Sequence, residues 1–192
     1  LVLTFKRRRG DRCSDSGRRN CRTKRCLLPA YAGKRVVVLE DGFIGSGETG
    51  RTTAHLVTAL DNRYYKLEDI YGEEKTRQIA MSHAAAIDFI ENAVKRENID
   101  CDFERLNGYL FLHPSDQEES LQKEFSAASK AGLNVFLSHE DIASTGQSLC
   151  FPGQAQFHPM KYLKGLCEAI IKKGGRIYTE THAAEIHQYG IK

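Results

Sequence analysis

Lys34-Arg35-Val36-Val37-Val38-Leu39-Glu40, followed by the glycine-bearing stretch Gly42 to Gly50, decides how this chain folds. A four-residue apolar run rich in β-branched valine, flanked by charge and closed by Asp41-Gly42, predicts a buried parallel strand. The loop after it holds Gly45, Ser46, Gly47 and Gly50, and Arg51 to Leu60 can form a short helix.

Upstream of the valine run the composition changes abruptly. Residues 1–35 carry 12 Lys and Arg against 2 Asp, whereas residues 36–192 carry 16 against 23 Asp and Glu. The formal net charge of +3 therefore describes neither part. The stretch from Leu1 to about Ala32 has neither helical nor alternating periodicity, and its composition predicts disorder. No run of 18 or more apolar residues exists, which excludes a membrane-spanning helix. The basic start is not followed by an apolar segment, so no secretory signal is read there. The six cysteines form no Cys-x-x-Cys pair, and the leader holds no His, so no zinc site is expected. Widely spaced thiols at Cys101, Cys150 and Cys167 suit a reducing, cytoplasmic compartment.

Downstream, helix and strand signals alternate around an insert. Asp61 to Glu97 reads as helix interrupted at Gly72. Ile79, His83, Ala86, Ile87, Ile90 and Val94 recur on one face, with His83 expected as a partly buried structural residue. Asp102–Leu106 and Tyr109–His113 flank Asn107-Gly108, a two-residue hairpin signal. Ser115 and Glu118 form a candidate capping box for a helix ending near Gly132, and Asn134–Ser138 reads as a short strand. Phe151–Pro159 reads as irregular. Pro159 suits the first position of an amphipathic helix that Gly174-Gly175 stops. Arg176–Thr181 reads as a strand, which Ala183–Ile186 can extend. The class is α/β.

Two features carry chemistry. A carboxylate at the carboxyl end of a parallel strand, here Glu40, can accept hydrogen bonds from both hydroxyls of an adenosine ribose, although buried strands also end in Glu by chance. Glycines in the loop that follows let backbone N–H groups approach a phosphate, and Arg51, Thr52 and Thr53 are suitable donors; a flexible loop with an N-capping Thr reads equally well. For Gln154, Gln156 and His158, polar groups serving irregular backbone between two domains are expected ahead of substrate contact. His158 precedes a proline, which argues for a positioning role.

Together these stretches resemble the FAD-dependent oxidoreductases of the D-amino-acid oxidase and glycine oxidase type, especially members carrying a C-terminal Rieske iron–sulfur domain. The resemblance rests on Gly33–Glu40, Ser46–Leu56, Asp102–Leu106 with Gly108–Phe111, and Phe151–Gln154 through His158-Pro159 to Leu166. It implies an incomplete FAD-binding Rossmann-like domain of the glutathione-reductase type with part of a substrate domain inserted. Residues 33–100 would be the FAD-binding part with its helical segment, 101–150 the substrate part, and 151–192 the return to the FAD-binding domain. It also implies FAD as cofactor, a small-molecule amine or amino acid as substrate, and a hydride passed to the flavin from a carbon bearing an amine. The cofactor-binding residues carried over are Glu40 for the ribose, Gly50, Arg51, Thr52 and Thr53 for the pyrophosphate and flavin side, and the Ala183 backbone for the adenine edge. No catalytic residue is carried over.

The sequence departs from the family in three places. The Gly-x-Gly-x-x-Gly turn should lie about twenty residues before Glu40, but Gly10 and Gly17 stand isolated among arginines. The first strand is missing with it, which would leave the flank of Val36–Leu39 open. Arg codons read one nucleotide later become Val, Ala, Asp, Glu or Gly codons, so residues 1–32 read as a disordered or mistranslated leader. The expected later strands, the flavin-facing loop and a Rieske Cys/His set are absent as well, so the chain reads as a fragment. Two other readings stand beside this one: an inactive gene product without bound FAD, and a nucleic-acid-binding protein using the basic leader. Phe5 is the leader's single aromatic before Tyr31, so stacking platforms are lacking and nucleic acid is not the expected partner.

Overall fold

A computed structural model describes residues 2–5, 14–15, 22–112, 118–138, 146–184, 186–187 and 190–191. In chain order the elements begin β1 (Val2–Phe5), β2 (Ser14–Asp15), α1 (Arg22–Tyr31) and β3 (Arg35–Leu39), then a 3-10 turn at Glu48–Arg51 and β4 (His55–Leu56). Next come α2 (Tyr64–Tyr71), α3 (Glu73–Glu97), β5 (Glu104–Phe111), α4 (Glu118–Lys130), β6 (Phe136–Ser138) and β7 (Ser148–Gln156). The chain continues with α5 (Pro159–Lys172), β8 (Arg176–Tyr178), β9 (Ile186–His187) and β10 (Gly190–Ile191). These residues divide into two compact units.

The first unit comprises residues 1–53, 94–101 and 158–192. The valine run forms the expected strand: β3 pairs parallel with β8, Val37 to Leu39 facing Arg176 to Tyr178. Its other flank is not open. β1 lies antiparallel along it, from Val2 opposite Val38 to Phe5 opposite Arg35, which corrects the expectation of an unpartnered edge. Val36 and Val38 are buried, together with Leu27 and Ala30 of α1 and Leu166, Ala169 and Ile170 of α5. Residues 22–31, read from composition as disordered, are therefore helical. Two inward apolar side chains suffice once a sheet and a second helix lie against them. Gly10 and Gly17 lie outside the described residues.

Helix ends in this unit are set by one device. Gly33 has a left-handed φ of 67°, its N–H meets the Ala30 carbonyl at 3.1 Å, and the Lys34 N–H meets the Pro29 carbonyl at 3.0 Å. This is a Schellman motif, which satisfies the last carbonyls of the helix. The same pair of bonds recurs at Asn98 after α3 and at Gly174 after α5.

The second unit comprises residues 54–93 and 102–157. Its core is Tyr64, Leu67, Ala80, Leu121, Ala127, Ala128, Ala131, Leu149 and Phe151. The helical pair broken at Gly72, where φ is 77°, is as expected. His83 is exposed rather than partly buried: the stripe turns inward through Thr76, Ala80, Ile87, Ile90 and Ala93, with the half-buried Ala84 taking the middle turn.

Three local expectations give way to the sheet β4-β7-β5, with β6 also on β7. Asn107-Gly108 does not turn; β5 runs unbroken and pairs antiparallel with β7. Leu106 faces Gln154 and Gly108 faces Phe151, so β7 carries an extra residue at a bulge around Pro152-Gly153. Long pairing outcompetes the local turn preference of Asn-Gly. Phe151–Gln156, read as irregular, is the end of β7. The helix expected over 51–60 does not form: Arg51 ends the 3-10 turn, Ala54 adopts a φ of 62°, and His55-Leu56 pair with Gln156 and Ala155. Ser115 of the candidate capping box lies outside the described residues. The strand after α5 ends at Tyr178, and Ala183-Ala184 do not extend it.

Candidate functional site

All six residues expected to meet a cofactor fall in the first unit. Glu40 follows β3 directly, at the carboxyl edge of the parallel pair. Its backbone N–H donates to the Tyr178 carbonyl and its carbonyl accepts from Thr181, both at 2.9 Å. Glu180 N–H reaches the Gly42 carbonyl at 2.9 Å, and His182 Nδ1 stands 3.1 Å from Asp41 Oδ1. The segment 178–182 is thus stitched to 40–42, which brings Ala183 to the same edge. Glu180 makes the necessary turn with a φ of 49°. The Glu40 side chain is half-buried, and its Oε1 accepts the Gly42 N–H at 3.3 Å.

The loop after Glu40 folds onto the start of α5. Ser46 N–H closes a turn on the Phe43 carbonyl at 3.0 Å. A Cβ on Gly45 would lie 2.3 Å from Met160 Cε, and one on Gly50 would lie 2.9 Å from the Gly45 carbonyl oxygen. Gly50 is therefore fixed by close packing against backbone, whereas Gly45, which faces the flexible end of Met160, is fixed by its left-handed φ of 83°. Gly50, Arg51, Thr52 and Thr53 are exposed, and Arg51 Nη1 lies 3.7 Å from Glu48 Oε1 in an open ion pair of little energetic weight.

Gln154 proves to be a structural residue. It is buried, its Oε1 accepts the Thr58 N–H at 2.5 Å, and its Nε2 donates to Thr58 Oγ1 and the Pro152 carbonyl, each at 3.1 Å. No part of the amide is left for a substrate. Gln156 Nε2 donates to Glu104 Oε2 at 3.1 Å. His158 caps α5: its Nδ1 accepts the Lys161 N–H at 3.4 Å, and its own N–H donates to the Cys101 carbonyl at 2.7 Å. The positioning role expected of His158 is this cap.

The sequence reading missed Glu124. Its carboxylate is buried in the second unit, and Oε2 accepts the Tyr65 N–H at 3.4 Å, serving the amino end of α2 from another helix. Burial pushes its carboxyl above the usual carboxylate range, while the Tyr65 amide and Arg63 pull the other way. The available signal was its place three residues after Leu121 and four before Ala128, on the apolar stripe of α4. Burial also pushes the Cys167 thiol up to about 11.

An adenosine-bearing cofactor fits this unit at one end. Glu40 offers a half-buried carboxylate at the carboxyl edge of a parallel pair, and a second backbone segment stands beside it. At the phosphate end the glycine turn expected beside β3 is not matched: the strand next to β3 on the side away from β8 runs antiparallel, and no Gly-x-Gly-x-x-Gly precedes α1, which leaves Gly50 to Thr53 as the candidate phosphate-side residues. Among the described residues no group of three His, Cys, Asp or Glu is placed to hold a metal ion, and no helix is long and apolar enough to cross a membrane.

The chain is similar to a Bacillus subtilis protein named as a Rieske 2Fe-2S iron-sulfur protein, YhfW, with 34% identity over 156 residues. That match covers 80% of this chain and 31% of the relative. It is 29% identical to the gamma-glutamylputrescine oxidoreductase of Escherichia coli, covering 82% of this chain and 38% of the relative. In fold it is similar to the glycine oxidase of Bacillus cereus, with a TM-score of 0.61 and 16% identity over 88% of this chain and 46% of that one. The L-amino acid deaminase of Proteus vulgaris gives a TM-score of 0.66 at 16% identity, with 88% of this chain and 40% of that one covered. The chain thus spans less than half the length of these relatives. The family model for DAO, FAD dependent oxidoreductase, matches residues 24–192, and the chain belongs to that family of FAD-dependent oxidoreductases.

Proposed function

We propose that the whole protein to which these residues belong oxidises a small-molecule amine or amino acid at the carbon bearing the nitrogen. The observation that carries this reading is the Glu40 edge, a carboxylate at the end of a parallel pair with residues 178–183 held alongside, in a chain of this family. The substrate class is supported by the relatives, several of which are named for amine or amino-acid substrates. FAD, when bound, accepts the hydride, and the protein supplies binding and orientation. In this reading the Glu40 carboxylate accepts from the ribose hydroxyls and the Ala183 backbone meets the adenine edge. Gly50, Arg51, Thr52 and Thr53 serve the pyrophosphate and flavin side. The first unit supplies FAD binding, and residues 102–150 of the second supply part of the substrate domain. The reading also places the protein in the cytoplasm.

The test is anaerobic mixing of the FAD-loaded whole protein with a panel of amines and amino acids. At least one of them should bleach the flavin absorbance near 450 nm. Bleaching only by hydroxy acids or sugars would overturn the proposal.

A further inference from the structure

Met160 is the second residue of α5, and its side chain meets the loop that follows Glu40. A Cβ placed on Gly45 would stand 2.3 Å from Met160 Cε and 2.5 Å from its Sδ, and one on Gly50 would stand 3.6 Å from the same sulfur. The thioether therefore occupies space that two bare glycines leave open, as an unbranched, polarizable side chain fills an irregular gap. Met160 is nevertheless 36% exposed, which leaves it within reach of a small oxidant.

The two sides of this contact differ in stiffness. On the helix side, His158 Nδ1 accepts the Lys161 N–H, the His158 N–H donates to the Cys101 carbonyl at 2.7 Å, and Pro159 stands in the first turn. On the loop side, residues 42–50 hold four glycines, and the Ser46 and Gly50 N–H groups bond back to Phe43 and Gly47 within the loop. No residue of the 3-10 turn at Glu48–Arg51 is buried. Glycines lose the most freedom on ordering, so a loop of this kind depends on outside packing for its position.

We propose that Met160 is an oxidation site that controls the Gly45–Gly50 loop: with the sulfur intact the loop is seated on α5, and with the sulfur as sulfoxide it is released. The oxidant is a peroxide. The sulfur lone pair attacks one oxygen of hydrogen peroxide, the O–O bond breaks as the S–O bond forms, sulfur gives up two electrons, and water leaves. The product is polar and chiral where the thioether was apolar, and methionine sulfoxide reductases reverse it. The new oxygen has two places to go. Kept inward, it enters a contact already too close for a Cβ. Turned to water, it takes the side chain off Gly45. The seat of the loop is lost in both cases, and the loop moves rather than the capped helix. An effect on cofactor binding rests on the reading of Gly50 to Thr53 as the phosphate side; the release of the loop does not.

The chain has two methionines, and Met81, 51% exposed in the second unit, is an internal reference. The experiment treats the 192-residue chain, Met81→Leu and Met160→Leu with hydrogen peroxide. Peptide mass spectrometry reads oxygen gained, and amide hydrogen exchange is followed over residues 43–50. In the parent and in Met81→Leu, Met160 should gain one oxygen, and exchange over 43–50 should rise roughly fivefold or more, the size expected when one small apolar contact is lost. A methionine sulfoxide reductase should restore the slow rate. Met160→Leu keeps an apolar side chain and every cysteine, so peroxide should leave its exchange over 43–50 unchanged. Met160 left unoxidised while Met81 is converted would overturn the inference, as would unchanged exchange after Met160 is oxidised, or equal acceleration in Met160→Leu. Exchange at the fully unprotected rate over 43–50 before any oxidant is added would overturn it too.

Discussion

The Thr181 amide donates to the Glu40 carbonyl at 2.9 Å, so the backbone of Glu40 holds the sheet edge while its side chain, apart from a long 3.3 Å bond accepted from the Gly42 N–H, can serve other work. The two roles are therefore separable by mutation. Glu40→Ala keeps both backbone bonds and should leave the melting temperature within about 2 °C of the parent, as for a partly exposed polar site. In an FAD-retaining complete protein it should remove two charge-assisted hydrogen bonds, at roughly 1.5–3 kcal/mol each before compensation. Flavin content after gel filtration measures this, and unchanged content would reduce Glu40 to a strand end.

Gln154 and Thr58 test the second unit. Gln154→Leu keeps the volume but strands the buried Thr58 N–H, at a cost of about 1–3 kcal/mol. The melting temperature of that unit should fall by roughly 2–8 °C per kcal/mol. Hydrogen exchange at the Thr58 amide should accelerate by at least tenfold. Slow exchange in the variant would mean that another acceptor serves that amide.

How far these features can be read from the sequence depends on whether the deciding interaction is local. The valine run, the Gly72 break, the Pro159 start and the Gly174 stop all act within one or two turns, and each is where the sequence puts it. The Asn107-Gly108 turn fails because β5 finds seven paired positions along β7, some forty residues on, and those bonds outweigh a two-residue preference. The 51–60 helix fails for the same reason at His55 and Leu56. The structural role of Gln154 is legible as a polar group serving backbone, but its partner is not, because Thr58 lies 96 residues away. Glu40 was legible as an acid at a strand end, but its pairing with 180–182 was not.

Glu124 makes the second unit sensitive to pH. Burial raises its pKa in the folded state above the unfolded value, so its favourable contribution is complete below the unfolded pKa. That contribution is lost as pH rises through the raised folded value. Arg63 opposes the shift, and Asp61 and Lys66 line the same cavity. Glu124→Gln keeps an acceptor for the Tyr65 N–H without a charge to bury. The variant should therefore match the parent near pH 4 and exceed it in melting temperature near pH 8. A parent that melts higher at pH 8 would show the ionised carboxylate to be well solvated.

Cys167 should be chemically quiet. With its pKa pushed up to about 11 by burial, roughly one thiol in a thousand is ionised at pH 8, against about a quarter for an ordinary thiol. Iodoacetamide at pH 8 should therefore label Cys167 about two orders of magnitude more slowly in the native chain than in guanidinium. Peptide mass spectrometry reads the site directly, and equal rates would show the thiol to be open to solvent.

Arg105 ties α3 to the bulge of β7 with one guanidinium. Nη2 donates to Asp88 Oδ1 and Glu91 Oε2, both at 2.6 Å, Nε donates to Glu91 Oε2 at 2.9 Å, and Nη1 meets the Gly153 carbonyl at 2.5 Å. The side chain is only 31% exposed, so this pair is shielded more than an open surface bridge. Arg105→Ala leaves two carboxylates one helical turn apart without their cation and the Gly153 carbonyl without its donor. A loss of about 1–3 kcal/mol is expected. Arg105→Lys should rescue little, because a point-like ammonium cannot serve three acceptors spread across a planar fork. If the geometry is responsible, Asp88→Asn and Glu91→Gln should each lose most of their cost in the Arg105→Ala background. Additive costs in that double-mutant cycle would show the contacts to be independent, and full rescue by lysine would show that charge alone holds the bulge.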